Sequence, residues 1–122
     1  MRNISIRCVN TYLLLIFFFF GGCSPCSDTF VSNTPSPSGN LVATVFYRNC
    51  GATTAEVTWV TVHRSTENYA GSETAVLRNQ GSVAVGLSWE GDSTLILECK
   101  QCQGNDATLK VTKLGRVTVS YK

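Results

Sequence analysis

The chain comprises 122 residues, with a formal net charge of +2 and six cysteines. This length fits a single modest domain. Arg2 and Arg7 belong to a strongly apolar N-terminal segment, and the eight remaining basic residues are balanced by eight acidic ones. A domain without a basic excess has no electrostatic footprint for nucleic acid, so we exclude a nucleic-acid partner.

The N-terminal segment predicts export. Two arginines and no acid precede a stretch of about 12 mostly apolar residues, Val9 to Phe20, which is followed by Gly21 and Gly22. This order is typical of a secretory signal, and we assign it to residues 1–22. A transmembrane helix is the weaker alternative, because crossing a bilayer takes roughly 20 apolar residues.

The sequence Phe20-Gly21-Gly22-Cys23 resembles the lipobox of bacterial lipoproteins, although the usual pattern has leucine at the position of Phe20. The resemblance implies cleavage between Gly22 and Cys23, acylation of Cys23 and attachment to a membrane in the cell envelope. In a Gram-negative host, Ser24 implies the periplasmic side of the outer membrane. Otherwise the outer face of the cell membrane is expected. The alternative is an ordinary signal, with Cys23 free to form a disulfide.

The cysteines indicate an oxidising compartment, because six in so short a chain are unusual for a cytosolic protein. Cys8 leaves with the signal and Cys23 is the proposed lipid site. The other four allow three disulfide pairings, which the sequence does not distinguish. We favour Cys26 with Cys50, tying the tether to the domain, and Cys99 with Cys102, closing the loop between two strands.

Two chemical alternatives involve the Cys99-Lys100-Gln101-Cys102 sequence. Its spacing is that of a thiol-redox motif, but Cys99 ends a predicted strand rather than opening a helix that would stabilise a thiolate. Combined with Cys23 and Cys26 it would form a four-cysteine zinc set, but one of those residues is the proposed lipid site. We therefore predict no metal.

Residues 23–39 are predicted to be a flexible tether and residues 40–122 an all-β domain. The tether contains all three prolines and several serines, a composition that favours extended, solvated chain. The domain is expected to be a small antiparallel meander or sandwich of about six strands. The strands are placed near residues 41–48, 56–63, 83–90, 94–99, 108–112 and 116–121.

Turns and alternation define this prediction. The Ser36–Asn40 segment predicts a turn before the first strand, and Glu90-Gly91-Asp92-Ser93 predicts a hairpin. Apolar and polar residues alternate over 83–90 and 117–122, as expected for strands with one solvated face. Residues 66–80 are expected to form a loop, with a short helical turn or an edge strand near 75–78.

A second resemblance covers residues 36–121. A Ser-Pro-x-Gly turn at 36–39, a strand, and then Cys50-Gly51-Ala52-Thr53-Thr54 are similar to an uncharacterised family of small, often lipid-anchored bacterial proteins. The resemblance implies an envelope location and a β fold, and it carries no activity.

The remaining candidates for chemistry are ordinary residues. His63 is the only histidine, and without a Gly-x-Ser-x-Gly nucleophile turn it is expected on the surface rather than in a catalytic triad. The Thr53 and Thr54 hydroxyls are expected to hydrogen-bond to the backbone of their own turn rather than to a ligand. Glu90 and Asp92 are hairpin residues rather than a glycosidase pair. Trp59 and Trp89 are expected to fill the core rather than form a binding face.

The sequence thus favours a non-enzymatic, membrane-anchored binding or structural module without a cofactor, with an unidentified envelope protein as its partner. One alternative is a thiol-redox or metal-handling protein using Cys99 and Cys102. A second is a small inhibitor or immunity-type protein that engages its partner through an exposed edge strand.

Overall fold

The computed structural model describes residues 26–51, 55–69 and 74–122. The predicted signal, Gly22 and the lipid site Cys23 lie outside these residues, as do Thr53 and Thr54. The described residues form nine strands and one short 3-10 helix, Lys100–Cys102. The strands are β1 (Ser27–Pro35), β2 (Leu41–Asn49), β3 (Val57–Arg64), β4 (Ala75–Gln80), β5 (Gly86–Glu90), β6 (Thr94–Glu98), β7 (Ala107–Lys110), β8 (Lys113–Leu114) and β9 (Val117–Tyr121).

The strands form two sheets. Sheet A has five strands in the order β1-β2-β3-β4-β7, and sheet B has four in the order β5-β6-β9-β8. Inward-facing residues of both sheets form one apolar core, including Val45, Val60 and Leu77 from sheet A and Leu95 and Val119 from sheet B. The predicted all-β class is confirmed.

Local patterning predicted several features correctly. Along 83–90, Val83, Val85, Leu87 and Trp89 pack on the core while the residues between them are exposed. Strands β5 and β6 form the expected antiparallel hairpin. Its turn contains Gly91, whose φ of 69° is a left-handed conformation that glycine adopts without a Cβ clash.

The tether prediction needs a correction, because Ser27–Pro35 forms strand β1 on the edge of sheet A. This strand is exposed along most of its length and lacks apolar alternation, which is why its composition is that of a linker. Its order comes instead from antiparallel pairing with β2, which runs from Ser27 opposite Asn49 to Pro35 opposite Val42.

Two further expectations about the sheets were wrong. A short helical turn or an edge strand was expected near 75–78 within a loop, but this segment belongs to β4, which lies in the interior of sheet A between β3 and β7. Strand β9 does not continue a meander with β7, since β7 joins sheet A and β9 pairs parallel to β6 in sheet B. The chain between β6 and β9 is long enough for the crossover that a parallel pair requires.

Two side chains tie the sheets and turns together. The Asp92 carboxylate accepts a hydrogen bond from the backbone N–H of Ser38 at 2.9 Å, joining the turns before β2 and β6. This bond lowers the pKa of Asp92. Tyr121 on β9 donates its hydroxyl proton toward the carbonyl oxygens of Val76 and Val111, at 2.9 and 2.7 Å.

Tyr121 predicts an alkaline loss of stability. Burial raises its pKa to about 12, whereas an unfolded tyrosine titrates near pH 10. Its contribution is therefore complete below about pH 10 and is lost as the pH rises through about 12. Urea unfolding at pH 8 and pH 11 should show this decline in the wild type and a smaller one in Tyr121→Phe. Tyr47→Phe, which retains Tyr121, should decline like the wild type. An equal decline in all three proteins would contradict the assignment.

Candidate functional site

The cysteines form the two favoured disulfides. Cys26 bonds to Cys50, with a Cα–Cα distance of 3.9 Å, and joins the start of β1 to the end of β2. Cys99 bonds to Cys102 across the 3-10 helix after β6. The structure therefore confirms both pairings.

The Cys99–Cys102 pair has a structural environment. Its residues are 3% and 1% exposed and belong to the main core. Cys99 has extended backbone, and the helix that follows it has only three residues. An N-terminal α-helical turn, which lowers thiol pKa in redox motifs, is therefore missing from this position. Across residues 26–51, 55–69 and 74–122, no three potential metal ligands cluster.

His63 is buried, contrary to the expected surface position, with 8% exposure. Its Nδ1 donates to the carbonyl oxygen of Arg64 at 2.8 Å, and its Nε2 shares a hydrogen bond with the Thr44 hydroxyl at 2.9 Å. Thr44 also bonds to Asn33 of β1 at 2.7 Å. A histidine with both nitrogens engaged can enter the interior, because its polar atoms are satisfied there.

Replacing His63 by leucine is expected to destabilise the protein by about 1 to 3 kcal/mol, because the Thr44 hydroxyl and the Arg64 carbonyl lose a partner. Combining His63→Leu with Thr44→Val should cost less than the sum of the single changes, since the two residues share one bond. Urea unfolding of the four proteins measures this coupling. Strict additivity would show that the contact contributes nothing.

The most distinctive polar arrangement lies on the outer face of sheet A, the face directed away from sheet B. Here Phe46 pairs with Trp59, and Trp59 pairs in turn with Arg78 of β4. Phe46 and Trp59 stack with ring centroids 5.8 Å apart, and Tyr69 lies 4.9 Å from Phe46. These aromatic residues, with Ala75, form a second small core outside the main one.

Two guanidinium groups flank Trp59. The Cζ of Arg48 is 4.5 Å from the Trp59 ring centroid, and that of Arg78 is 5.2 Å away. Both distances are within the range of cation–π attraction. Together they line a shallow groove of about 490 Å³, which we call the Trp59 groove, whose walls are Arg48, Cys50, Ala55, Val57, Trp59, Arg78, Gln80 and Thr108.

The two arginines differ in their partners. Arg48 donates from Nε and Nη2 to the two carboxylate oxygens of Asp28, at 2.8 and 3.0 Å, and this hydrogen bonding raises its pKa. Arg78 has no carboxylate within ion-pair distance in the described chain, and its Nε is buried without a hydrogen-bond partner. A buried donor of a charged group left unpaired costs free energy, so a ligand that accepts a hydrogen bond from the Arg78 guanidinium group would be favoured.

A second depression lies beside the Cys99–Cys102 disulfide. It measures about 710 Å³, and its lining includes Glu98 as well as Lys100 and Lys122. The carboxylate of Glu98 would oppose an anion, whereas the described lining of the Trp59 groove includes no acidic residue. The Trp59 groove is therefore the better candidate for binding an anion.

The sequence-predicted residues are only partly brought together. Trp59 and Cys50 share the groove, while Trp89 lies on sheet B, where its indole N–H donates to the Thr34 carbonyl at 2.8 Å. Neither Arg48 nor Arg78 was identified from the sequence. The available signal was that Phe46 and Arg48 lie two residues apart on one predicted strand and Trp59 lies on the next. Only the strand register shows that these residues form one site.

The fold and groove define a small, disulfide-bonded protein of two β-sheets. The chain matches no known family, no curated protein and no solved structure. The resemblance to an uncharacterised lipoprotein family therefore stays a prediction. No helix among the residues of the described chain is long and apolar enough to cross a membrane.

Proposed function

We propose that the protein is an envelope lipoprotein, anchored by acylated Cys23, that displays a non-catalytic β domain as a binding or structural module. The observation that carries the proposal is the Cys26–Cys50 disulfide. It closes the β domain three residues after the predicted lipid site. A chain that must form this bond is suited to an oxidising compartment, which is where a lipoprotein signal would deliver it.

Intact mass of the protein extracted from membranes tests the proposal. We expect the mass of residues 23–122 plus the acyl groups on Cys23, with four cysteines oxidised. Cys23→Ala should abolish acylation and membrane retention, and Cys8→Ala is the matched control because that residue lies in the removed signal. An uncleaved chain with six reduced thiols would refute the proposal.

The thiol-redox alternative finds little support in the geometry of Cys99 and Cys102. Both cysteines are buried in the core, and the helix that Cys99 caps is a 3-10 helix of only three residues. Thiol counting on the mature protein distinguishes the two functions. Zero free thiols after incubation with a mild reductant would fit a structural disulfide. Reversible reduction to two free thiols, with the fold unchanged, would favour redox exchange.

The inhibitor or immunity-type function remains a second candidate because β1 is a long, exposed edge strand. Among the described strands only β2 pairs with it, and Val31 forms a bulge that is 43% exposed. Such an edge can accept a strand from a partner. Stoichiometric co-purification of one envelope protein, lost in Val31→Lys but kept in the sheet B control Ser120→Lys, would favour this function.

A further inference from the structure

One surface of the protein combines cationic and apolar groups. We define the proximal face as the outer face of sheet A around Phe30, Val31, Arg48, Trp59 and Arg78. Val31 is the unpaired bulge residue next to Phe30, and the strand register aligns the others: Phe30 lies opposite Phe46, which lies opposite Trp59, which lies opposite Arg78. Asp28 lies opposite Arg48 in the same way. These side chains therefore share one face across four adjacent strands.

The apolar part of this face is unusually exposed. Phe30 and Val31 are the exposed large hydrophobic residues of the described chain, at 51% and 43%. They lie side by side at the bulge in β1. An aromatic and a branched aliphatic side chain left in water together mark an interaction surface more often than isolated exposed residues do.

The cationic part of the face is incompletely paired. Asp28 forms an ion pair with Arg48, whereas Arg78 has no ion-pair partner among the described residues and its Nε is buried without a hydrogen-bond partner there. The described residues that line the Trp59 groove include no acidic side chain. A phosphate oxygen is a natural acceptor for a guanidinium group, because the planar donors match its geometry and charge.

The position of the proximal face in the chain limits which partners it can contact. The groove includes Cys50, whose disulfide holds Cys26. Cys26 is three residues from Cys23, and three residues span at most about 11 Å of extended chain. If Cys23 carries the lipid, the Cys26–Cys50 end of sheet A must lie close to the headgroup region of the membrane.

We propose that the proximal face rests on the membrane, with Phe30 and Val31 entering the interfacial region and Arg78 binding the phosphate of an anionic phospholipid in the Trp59 groove. This inference rests on the proposed lipid anchor. It makes the anchor and the face act as two linked contacts, so that the domain has one orientation on the bilayer. Two such contacts reinforce each other because the first raises the local concentration of the second.

Tryptophan quenching by headgroup-labelled lipid tests this orientation. The mass-verified lipoprotein is reconstituted in vesicles of phosphatidylcholine, or of phosphatidylcholine with an equal amount of phosphatidylglycerol, each with nitroxide-headgroup lipid. Trp89→Phe reports on Trp59, and Trp59→Phe reports on Trp89 of sheet B. We expect stronger quenching of Trp59 than of Trp89, and an increase with phosphatidylglycerol. Equal quenching of both residues would overturn the proposal.

Arg78→Gln in the Trp89→Phe background tests the phosphate contact. Each basic residue near an anionic surface contributes about 1 kcal/mol, so the equilibrium constant for the oriented state should fall roughly fivefold. Arg116→Gln removes the same charge from the exposed turn before β9 and should leave quenching unchanged. Phe30→Ser should weaken quenching in both vesicle types. Equal effects of Arg78→Gln and Arg116→Gln would refute the specific site.

Other occupants of the groove give different results. Binding of soluble glycerol phosphate to the groove, in a protein that shows no vesicle-dependent quenching, would assign the groove to a free anion and overturn the membrane proposal. Failure of the lipid anchor is detected separately, because the intact mass of the protein shows whether Cys23 is acylated. In that case the same sample, added to preformed vesicles, should show no preferential quenching of Trp59, because one cation and two apolar side chains bind a membrane weakly without an acyl chain.

Discussion

Replacing Phe46 by alanine is expected to lower the free energy of unfolding by about 3 to 5 kcal/mol, the usual cost of removing a buried aromatic side chain. Phe46 is fully buried, although it faces away from the main core. Its ring stacks on Trp59 and contacts Tyr69, so the change would leave a cavity under the Trp59 groove. Urea unfolding, with the midpoint and slope both reported, measures the loss.

Phe30→Ala is the matched control for this prediction. It removes the same ring from the residue opposite Phe46 on β1, but Phe30 is 51% exposed. Its loss should cost less than about 1 kcal/mol, apart from its contact with Tyr69. Equal losses for the two variants would mean that the outer face of sheet A is not a packed second core.

Removing the Cys26–Cys50 disulfide should destabilise the protein by about 3 kcal/mol, more than the roughly 2 kcal/mol expected for Cys99–Cys102. The first bridge closes a sequence separation of 24 residues and the second a separation of 3. A longer loop loses more conformational entropy in the unfolded state when it is closed. The two paired serine variants, compared by urea unfolding, provide the measurement.

The Cys26–Cys50 variant should also fray locally. Strand β1 pairs with β2 alone, and its side chains bury little surface. Without the bridge at its start, proteolysis should first cut within Ser27–Pro35, while Cys99→Ser/Cys102→Ser leaves that strand protected. A larger stability loss for the Cys99–Cys102 variant, or early cleavage of β1 there, would contradict the entropic account.

The strands that the sequence predicted well are those with one face in water. Val117 and Val119 of β9 alternate with exposed residues because this strand of sheet B buries a single face. Strand β1 escaped prediction for the opposite reason. Its serines, its threonines and Pro35 bury little surface, so backbone pairing with β2 and the Cys26–Cys50 disulfide order the strand. Neither cause leaves a periodic pattern of apolar residues.

The candidate site was less predictable than the fold. The disulfide pairings could be favoured from sequence because Cys99 and Cys102 are close along the chain. The Trp59 groove instead depends on the register of β2, β3 and β4, which places Arg48 and Arg78 on either side of one indole. Long-range strand pairing fixes that juxtaposition. The burial of His63 had the same origin, since its partner Thr44 lies on the neighbouring strand.

The parallel pairing of β6 with β9 has a consequence for how the protein matures. Strand β9 lies between β6 and β8, so one of the two interior positions of sheet B is filled by the described strand that is synthesised last. Until residues 117–121 emerge from the ribosome or a translocation channel, one edge of β6 lacks its neighbour and Leu95 and Leu97 lack part of their cover. Sheet B is therefore completed only after residues 117–121 have been synthesised, because β6 gains its second neighbour from them.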